Sequence, residues 1–554
     1  MFKHQTKTIT FAAFLLALSS LISRLLGLLR DRLLAGQFGA GEQLDIYFAA
    51  FRIPDFVYGV LIAGGITAAF LPVFSGYFQK QDDSEQKEGE WSSSALEFTN
   101  NILNCFLILL VVLCGILAIF TPFIIKFVVP GFSAADKSLT ITLTRLMFLS
   151  PILLGLSSIF SGVLQYFNRF LAYALTPILY NLGIIFGILF FVPIFGVYGL
   201  AFGVILGAVM HVLIQVPAAI SSGFKFKFIL DFFHSGLLKI FKLAIPRIIG
   251  TAAGQITLIV ITALASALAV GSISVFNFSN NIRYFPVGII GLSFAVSAFP
   301  VFSRHLINGR KEEFVDQLAL SLRQILFFIV PSCVFFFIFR AQIVRVILGT
   351  GQFDWQATRL TAACLGVFCV GILSESLIHL LVRAFFAFQD TKTPVIIGLI
   401  SVVVTIIFCI LFVFLLGFAN PFHDFVAKLL KLKDIKNIEV VGLPFGVSLG
   451  GLVQLTLLSF FLYRKIGNFK ISDILNTFKK ALLASIVLGV LSYPSLYFLA
   501  RFLDTKTFLG IFLQAAIAGT IGILGYLGSA YLLKMPEVKV IKTAILRQFI
   551  KSDI

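Results

Sequence analysis

The chain contains 554 residues, of which 59% are hydrophobic and 12% are charged, whereas soluble domains carry roughly 25% charged residues. A soluble globular fold is therefore excluded, and continuous apolar runs of about 20 residues indicate membrane-spanning α-helices, not the alternating strands of a β-barrel. The net charge of +18 comes from Lys and Arg residues scattered through short loops, which argues against nucleic-acid binding. The six cysteines lie in apolar segments without metal-ligand spacing, so we predict neither a metal site nor a disulfide.

The apolar runs predict an all-α polytopic membrane protein with fourteen transmembrane helices. Several runs exceed the roughly 20 residues that cross a bilayer, so tilted, kinked or protruding helices are expected. The predicted helices cover residues 10–35, 45–78, 97–125, 139–167, 170–192, 197–221, 237–268, 272–303, 315–339, 356–387, 393–417, 441–463, 480–501 and 507–534.

The distribution of Lys and Arg predicts the orientation of the chain. The two tails and the even-numbered loops carry nearly twice as many of these residues as the odd-numbered loops, so both termini are predicted to be cytoplasmic. The basic loop 418–439 runs against this trend and is predicted to include an interfacial amphipathic helix. The polar segment 79–97 is predicted to be a solvated cytoplasmic loop.

Three short motifs occur twice, in the same order. The matched pairs are 69–75 with 298–303, 176–177 with 393–394, and 199–207 with 442–450. The repeated unit spans six predicted helices, an even number, so both copies insert the same way up and form a parallel repeat. We predict two six-helix lobes (residues 1–222 and 223–466) and a C-terminal helix pair with a cytoplasmic tail (467–554). Transporters of this kind bind substrate between the lobes, near the bilayer midplane.

Five charged residues lie in or beside the first two predicted helices: Arg24, Arg30, Asp45, Arg52 and Asp55. An ionised side chain near the bilayer centre costs about 2.5–3.5 kcal/mol on insertion scales, so this set predicts a polar cavity and an anionic cargo. Two simpler interpretations stay open. Arg30 lies near a helix end and could extend to the interface, and Asp45 could stabilise the start of its own helix.

Charged residues recur in the second half of the chain. Arg283 precedes Pro286 in helix 8, much as the basic residue of helix 2 precedes its own proline, and such kinks are common where transporters bind or bend. In helix 10, Glu375, His379 and Arg383 are spaced by four residues and form one stripe. Within a bilayer this stripe predicts a gate or an ion relay. The alternative is a buried structural pair that joins helices.

Enzyme motifs are missing from the sequence. It contains no Walker A, HExxH or GxSxG pattern and no acidic metal cluster, and its loops are too short for a catalytic domain. We therefore predict no enzymatic activity, no catalytic residue and no cofactor. The energy for any transport would come from an ion gradient, the membrane potential or the substrate gradient.

The segment 23–31, followed by Asp45 and 50–54, resembles the MurJ/MviN family of bacterial lipid II flippases, part of the multidrug/oligosaccharidyl-lipid/polysaccharide exporter superfamily. The resemblance implies a V-shaped alternating-access carrier in the bacterial cytoplasmic membrane, with a cationic central cavity and a role in peptidoglycan synthesis, the cell wall and cell shape. It also implies that helices 13 and 14 border a hydrophobic groove for a polyprenyl tail.

The resemblance carries over residue by residue in helices 1 and 2. Arg24 and Arg30 match the two family arginines of helix 1, Asp45 matches the acidic residue that opens helix 2, and Arg52 matches a basic residue before the family proline. The departures from the pattern are Tyr58 in place of an arginine, Ala63 in place of a glutamate, and Asn281 in place of a helix 8 arginine, with Arg283 two residues later.

Residues and resemblance together predict a flippase that moves a polyprenyl-pyrophosphate-linked peptidoglycan precursor, lipid II, from the inner to the outer leaflet. Arginine suits a pyrophosphate because its forked donors match the anion, so Arg24, Arg52 and Arg283 are predicted to hold it. The predicted partners are the lipid-linked sugar, membrane lipids and the cell-wall synthesis machinery. Two alternatives stay open: a flippase for an O-antigen or teichoic precursor, and a non-transporting scaffold for cell-wall assembly.

Overall fold

A computed structural model describes residues 9–79 and 91–538, and within these ranges every regular element is a helix. The chain divides into two compact units, Met1–Ser274 and Val275–Ile554. Most of the predicted cytoplasmic loop 79–97 and most of the C-terminal tail lie outside the described residues.

Among its described residues, unit 1 contains eleven α-helices, with π-helical segments at Tyr58–Ile66 and Gly187–Phe191. The helices are α1 (Ile9–Phe38), α2 (Glu42–Val57), α3 (Thr67–Gln79), α4 (Ser93–Val128), α5 (Ala134–Met147), α6 (Leu149–Tyr166), α7 (Phe170–Phe186), α8 (Val192–Phe195), α9 (Tyr198–Leu213), α10 (Gln215–Ser221) and α11 (Ser235–Ser266).

Unit 2 holds the remaining ten α-helices, a π-helical segment at Val287–Leu292 and a 3₁₀ turn at Glu439–Val441. The helices are α12 (Ser272–Pro286), whose first turn belongs to unit 1, α13 (Ser293–Ile307), α14 (Lys311–Ile338), α15 (Arg340–Leu348), α16 (Trp355–Ala387), α17 (Lys392–Leu416), α18 (Pro421–Leu429), α19 (Gly442–Ile466), α20 (Ile471–Leu499) and α21 (Phe508–Leu532).

The all-α polytopic fold is confirmed. In the part of the chain that the structure describes, thirteen helices, some built from two or more of these elements, are long and apolar enough to cross a membrane. Together with α1, which is 30 residues long, they correspond one to one with the predicted helices. The structure is thus consistent with fourteen spans, and that number stays a prediction.

Several helices begin at side chains that satisfy otherwise unpaired backbone N–H groups. At the start of α5, the Ser133 hydroxyl accepts from the Asp136 amide and the Asp136 carboxylate accepts from the Ser133 amide. The Asp354 carboxylate accepts from the Ala357 amide at the start of α16. Asn420 caps the start of α18, so the loop predicted to hold an amphipathic helix does contain a helix.

The two units share a backbone irregularity at matching places. In each unit a π-helical segment follows a proline near the middle of a long helix: Tyr58–Ile66 follows Pro54, and Val287–Leu292 follows Pro286. A proline cannot donate the backbone hydrogen bond of a regular helix, and π-helical turns often mark functional sites. The shared feature supports the internal repeat that the sequence motifs predict.

The repeated glycine motifs form close helix contacts in both units. In unit 1, a methyl group placed on Gly183 of α7 would lie 2.3 Å from the Cα atom of Gly207 in α9. In unit 2, a methyl group on Gly446 of α19 would lie 2.5 Å from the backbone nitrogen of Cys409 in α17. Membrane helices approach closely where residues are small, so glycine is needed at these positions.

The seventh predicted helix, α11, packs within unit 1. A methyl group placed on Gly64 would lie 2.3 Å from the Thr251 hydroxyl oxygen, and one on Gly59 would lie 2.4 Å from Gln255 Nε2. The compact units therefore divide after Ser274, whereas the repeat places the lobe boundary after residue 222. The repeat concerns which segments of the sequence are duplicated, and the lobes predicted from it stay a prediction. The compact units concern packing, which groups α11 with the first six predicted helices.

Candidate functional site

Asp45 is held at the start of α12 by hydrogen bonds to its carboxylate. It is 4% exposed, and its carboxylate accepts from the Gly271 amide at 2.7 Å, the Ser274 amide at 2.8 Å and the Ser274 hydroxyl at 2.5 Å. A carboxylate at a helix N-terminus is stabilised by the helix dipole and the free N–H groups. The structure therefore favours a capping role for Asp45, at a helix other than its own, and its substrate role stays a prediction.

Arg30 belongs to a polar cluster that joins α1 to α7. Its Nη2 and Nε atoms donate to Asp31 Oδ1 at 2.9 and 3.1 Å, and its Nη1 donates to Asn181 Oδ1 at 3.3 Å. The Asn181 amide in turn donates to the Ser23 hydroxyl at 3.2 Å. The Arg30 side chain keeps 24% of its surface exposed, so it is oriented by the protein and still accessible to a ligand.

Arg52 is buried, at 9% exposure, and its Nε donates to the Thr262 hydroxyl of α11 at 2.7 Å. Arg24, by contrast, is half-buried and makes no ion pair or side-chain hydrogen bond within the described residues. Asp55 lies within electrostatic range of both Arg52 and Arg30. Unit 1 thus concentrates two oriented guanidinium groups near two carboxylates, one of which pairs directly with Arg30, with Arg24 on α1.

In unit 2 the structure pairs two residues to which the sequence gives separate roles. Arg283 Nη1 lies 3.0 Å from Glu375 Oε2, and the two side chains are 7% and 21% exposed. Arg283 Nε also donates to Asn280 Oδ1 at 2.8 Å, and its guanidinium lies 4.3 Å from the centre of the Phe368 ring. The α12 arginine is therefore fixed against α16 by an ion pair, a hydrogen bond and an aromatic face.

The other two residues of the helix 10 stripe behave differently from Glu375. Arg383 Nη1 donates to the backbone carbonyl of His379 at 3.3 Å, and neither side chain forms an ion pair with a carboxylate among the described residues. The three residues do follow one another along α16. The structure thus supports the structural-pair interpretation for Glu375, while a gate or relay role for His379 and Arg383 stays a prediction.

The neutral partners of the arginines are residues that the sequence reasoning missed. Asn181 and Thr262 each stand in an otherwise apolar run, and Asn280 stands in a polar stretch, so each gives only a weak signal that many other positions share. What distinguishes them is contact with an arginine, on another helix for Asn181 and Thr262 and one turn along the same helix for Asn280. Metal coordination has no comparable basis, because the described ranges contain no group of three or more His, Cys, Asp or Glu side chains suited to a metal.

The fold and the intramembrane arginines define a polytopic membrane transporter. The structure is similar to a multidrug resistance MATE family transporter of the MOP superfamily in its inward-facing conformation, with a TM-score of 0.64 over 81% of this chain and 96% of that one. At 15% identity, this likeness concerns the fold alone.

More specific comparisons identify the family. A family model described as lipid II flippase MurJ matches residues 34–420. A probable lipid II flippase MurJ of Buchnera aphidicola subsp. Acyrthosiphon pisum (strain APS) is 34% identical over 68% of this chain and 73% of its own length. The solved structure titled lipid II flippase MurJ, inward closed conformation, is 25% identical, with a TM-score of 0.73 over 94% of this chain and 98% of that one. The chain therefore belongs to the MurJ family of lipid II flippases, multi-pass proteins of the bacterial inner membrane.

Proposed function

We propose that this protein moves lipid II from the inner to the outer leaflet of the cytoplasmic membrane by alternating access. Membership of the MurJ family supports the cargo, and the structural match to a lipid II flippase MurJ in an inward closed conformation supports alternating access. The observation that carries the proposal at the level of residues is Arg24, a half-buried guanidinium within α1 that makes no ion pair or side-chain hydrogen bond among the described residues.

A cargo with a pyrophosphate would account for an arginine such as Arg24 within a spanning helix. An unpaired charge within a bilayer is costly, and the cost is offset when an anion binds. Guanidinium groups bind phosphates through two parallel N–H donors. Arg30 and Arg52 are oriented by Asn181 and Thr262. Arg30 also pairs with Asp31 at 2.9 Å, but 24% of its side chain stays exposed, so an anion can still reach its guanidinium. We therefore assign Arg24, Arg30 and Arg52 to the pyrophosphate.

Coupling, orientation and partners form the rest of the proposal. With no cofactor and no catalytic step of its own, the protein would draw its energy from the membrane potential or an ion gradient. Moving one charge through 100 mV is worth about 2.3 kcal/mol, so collapsing the potential should slow flipping. Both termini would be cytoplasmic, and the cell-wall synthesis machinery would use the cargo on the outer side.

The test compares Arg24→Ala with the matched control Arg145→Ala in vesicles that contain lipid II. Arg145 is another arginine of a spanning helix, and its Nε donates to the backbone carbonyl of Ala118 at 2.9 Å. A hydrogen bond between Arg24 and the charged pyrophosphate would be worth about 1.5–3 kcal/mol. We therefore expect Arg24→Ala to slow flipping roughly 10- to 100-fold. The control, which removes an arginine that already bonds to the protein, should stay within about twofold of the parent.

Two outcomes would count against the proposal. Flipping that survives Arg24→Ala would remove the pyrophosphate role of Arg24. Cell-wall assembly that survives the loss of all three arginines would favour a scaffold that does not transport. An O-antigen or teichoic precursor tested in the same vesicles should move more slowly than lipid II, and faster movement would reassign the cargo.

A further inference from the structure

Unit 2 contains a cavity of about 540 Å³ where the ends of four spanning helices meet. Its walls come from the last turns of α14 and α20, the first turns of α16 and α21, and the short helices α15 and α18. This volume lies in the range of about 300–1,000 Å³ that is typical of small-molecule sites. Because spanning helices begin and end near the membrane surface, the cavity lies at headgroup depth.

Four cationic side chains line the cavity: Arg340, Arg345, Arg359 and Lys431. None of its lining residues in the described part of the chain carries a carboxylate. Asp434 neutralises one of the four, since its carboxylate oxygens lie 2.6 Å from the guanidinium of Arg359. A net positive charge therefore faces the cavity.

Arg340 and Arg345 are oriented but not neutralised. The Arg340 guanidinium donates to the Phe337 carbonyl at 2.7 Å and lies 4.8 Å from the centre of the Phe337 ring. The Arg345 guanidinium lies 5.4 Å from the centre of the Trp355 ring. Neither forms an ion pair with any described residue. Guanidinium groups held on aromatic faces keep their N–H donors free for an anion.

The remaining surface of the cavity suits a lipid. Ile338, Leu496 and Ile511 contribute apolar walls, and Tyr497 at the rim is 55% exposed. Lys431 Nζ donates to the Tyr497 hydroxyl at 3.4 Å. Tyr and Trp residues at the ends of spanning helices are typical of the membrane interface. Basic pockets between such helices bind lipid headgroups.

We propose that this cavity binds the phosphate headgroup of an anionic membrane phospholipid through Arg340 and Arg345. The headgroup phosphate would occupy the cationic part of the cavity, and the start of the acyl chains would lie along its apolar wall. The proposal concerns a lipid that stays bound to the protein. It does not rest on the transport of lipid II, because binding can be measured without flipping.

The test is native mass spectrometry of the full-length protein in detergent with phosphatidylglycerol or phosphatidylethanolamine added. The variant carries Arg340→Gln and Arg345→Gln, and the control carries Arg464→Gln. Arg464 lies at the end of α19, stacks on Phe460 at 4.8 Å and forms no ion pair within the described residues. We expect the double variant to bind phosphatidylglycerol at least tenfold more weakly than the parent. The control should stay within twofold, and phosphatidylethanolamine should bind weakly to all three.

Three results would overturn the proposal. The first is a double variant that retains phosphatidylglycerol as well as the control does. The second is inorganic phosphate that binds as tightly as the lipid, which would assign the cavity to free phosphate. The third is a polyprenyl pyrophosphate that displaces phosphatidylglycerol at equal concentration, which would assign it to the cargo. If the double variant is not monodisperse, the single variant Arg345→Gln replaces it in the same measurement. Within the protein this variant loses the contact of the guanidinium with the Trp355 ring, and it should still bind phosphatidylglycerol more weakly than the control.

Discussion

Replacing Glu375 with glutamine removes the carboxylate that lies 3.0 Å from the buried guanidinium of Arg283. Two unit charges about 4 Å apart interact by about 4 kcal/mol at an effective dielectric constant of about 20. Removing one partner of a buried pair typically costs about 3–5 kcal/mol. Asn280 and the Phe368 ring still hold Arg283, and Glu375 is 21% exposed. We therefore expect a loss of about 2–3 kcal/mol in the free energy of unfolding.

Thermal unfolding of the detergent-solubilised protein measures this loss. At about 2–4 °C per kcal/mol for a domain of 150–250 residues, the apparent melting temperature should fall by about 4–12 °C. The control is Glu313→Gln in the same unit, because Glu313 is 50% exposed and pairs with His305 and Arg310. Exposed pairs are worth at most about 1 kcal/mol, so the control should shift by less than about 4 °C. Equal shifts for the two variants would refute the reasoning.

A double-mutant cycle tests the same pair independently. Combining Arg283→Gln with Glu375→Gln removes both charges together, so neither is left buried without its partner. The double variant should lose less stability than the two single variants added together, with a coupling of at least about 1 kcal/mol. Additive losses would mean that the two side chains do not interact in the folded protein.

Two further predictions concern helix packing and pH. Gly183→Ala should lower the apparent melting temperature, because the added methyl group would lie 2.3 Å from the Gly207 Cα atom and overpacking costs about 1–3 kcal/mol. In the control Gly115→Ala, the added methyl group has no atom within 4 Å, so this variant should be neutral or stabilising. A melting temperature that is lower for Gly115→Ala than for Gly183→Ala would contradict the packing. Burial tends to raise the pKa of Asp390, but hydrogen bonds from Lys465 and the following turn lower it overall. The contribution of the Asp390 carboxylate to the stability of the folded protein should be complete above its unfolded-state pKa of about 3.9. This contribution should vanish as the pH falls through the lower folded-state pKa. In unfolding measurements in detergent, Asp390→Asn should therefore be less stable than the parent at pH 7 and as stable as the parent at strongly acidic pH. A variant that is still less stable than the parent at acidic pH would contradict the lowered pKa of Asp390.

Much of the fold could be read directly from the order of residues. The tenth predicted helix, 356–387, corresponds to α16 at Trp355–Ala387, and the eleventh, 393–417, corresponds to α17 at Lys392–Leu416. Such agreement follows from the bilayer, which requires an uninterrupted apolar run of about 20 residues for each crossing. The repeated segments 199–207 and 442–450 lie where the structure brings helices into close contact, because backbones approach where side chains are small.

The partners of the charged residues could not be read in the same way. Arg30 contacts Asn181, 151 residues away, and Arg52 contacts Thr262, 210 residues away. Asp45 stabilises the start of a distant helix instead of its own. Hydrophobicity is a property of each segment alone, whereas a polar contact depends on the rotation and depth of two helices that are packed together.

For the same reason, the surroundings of the individual arginines are decided by the tertiary structure. The apolar segments around Arg24 and Arg283 identify both as charges that are costly within a membrane. Their neighbours along the chain do not show which of the two forms an ion pair. Folding places Glu375 beside Arg283 and leaves Arg24 without an ion pair among the described residues. Burial and pairing, which set the free energy of a charge in a bilayer, arise when helices distant in sequence come together.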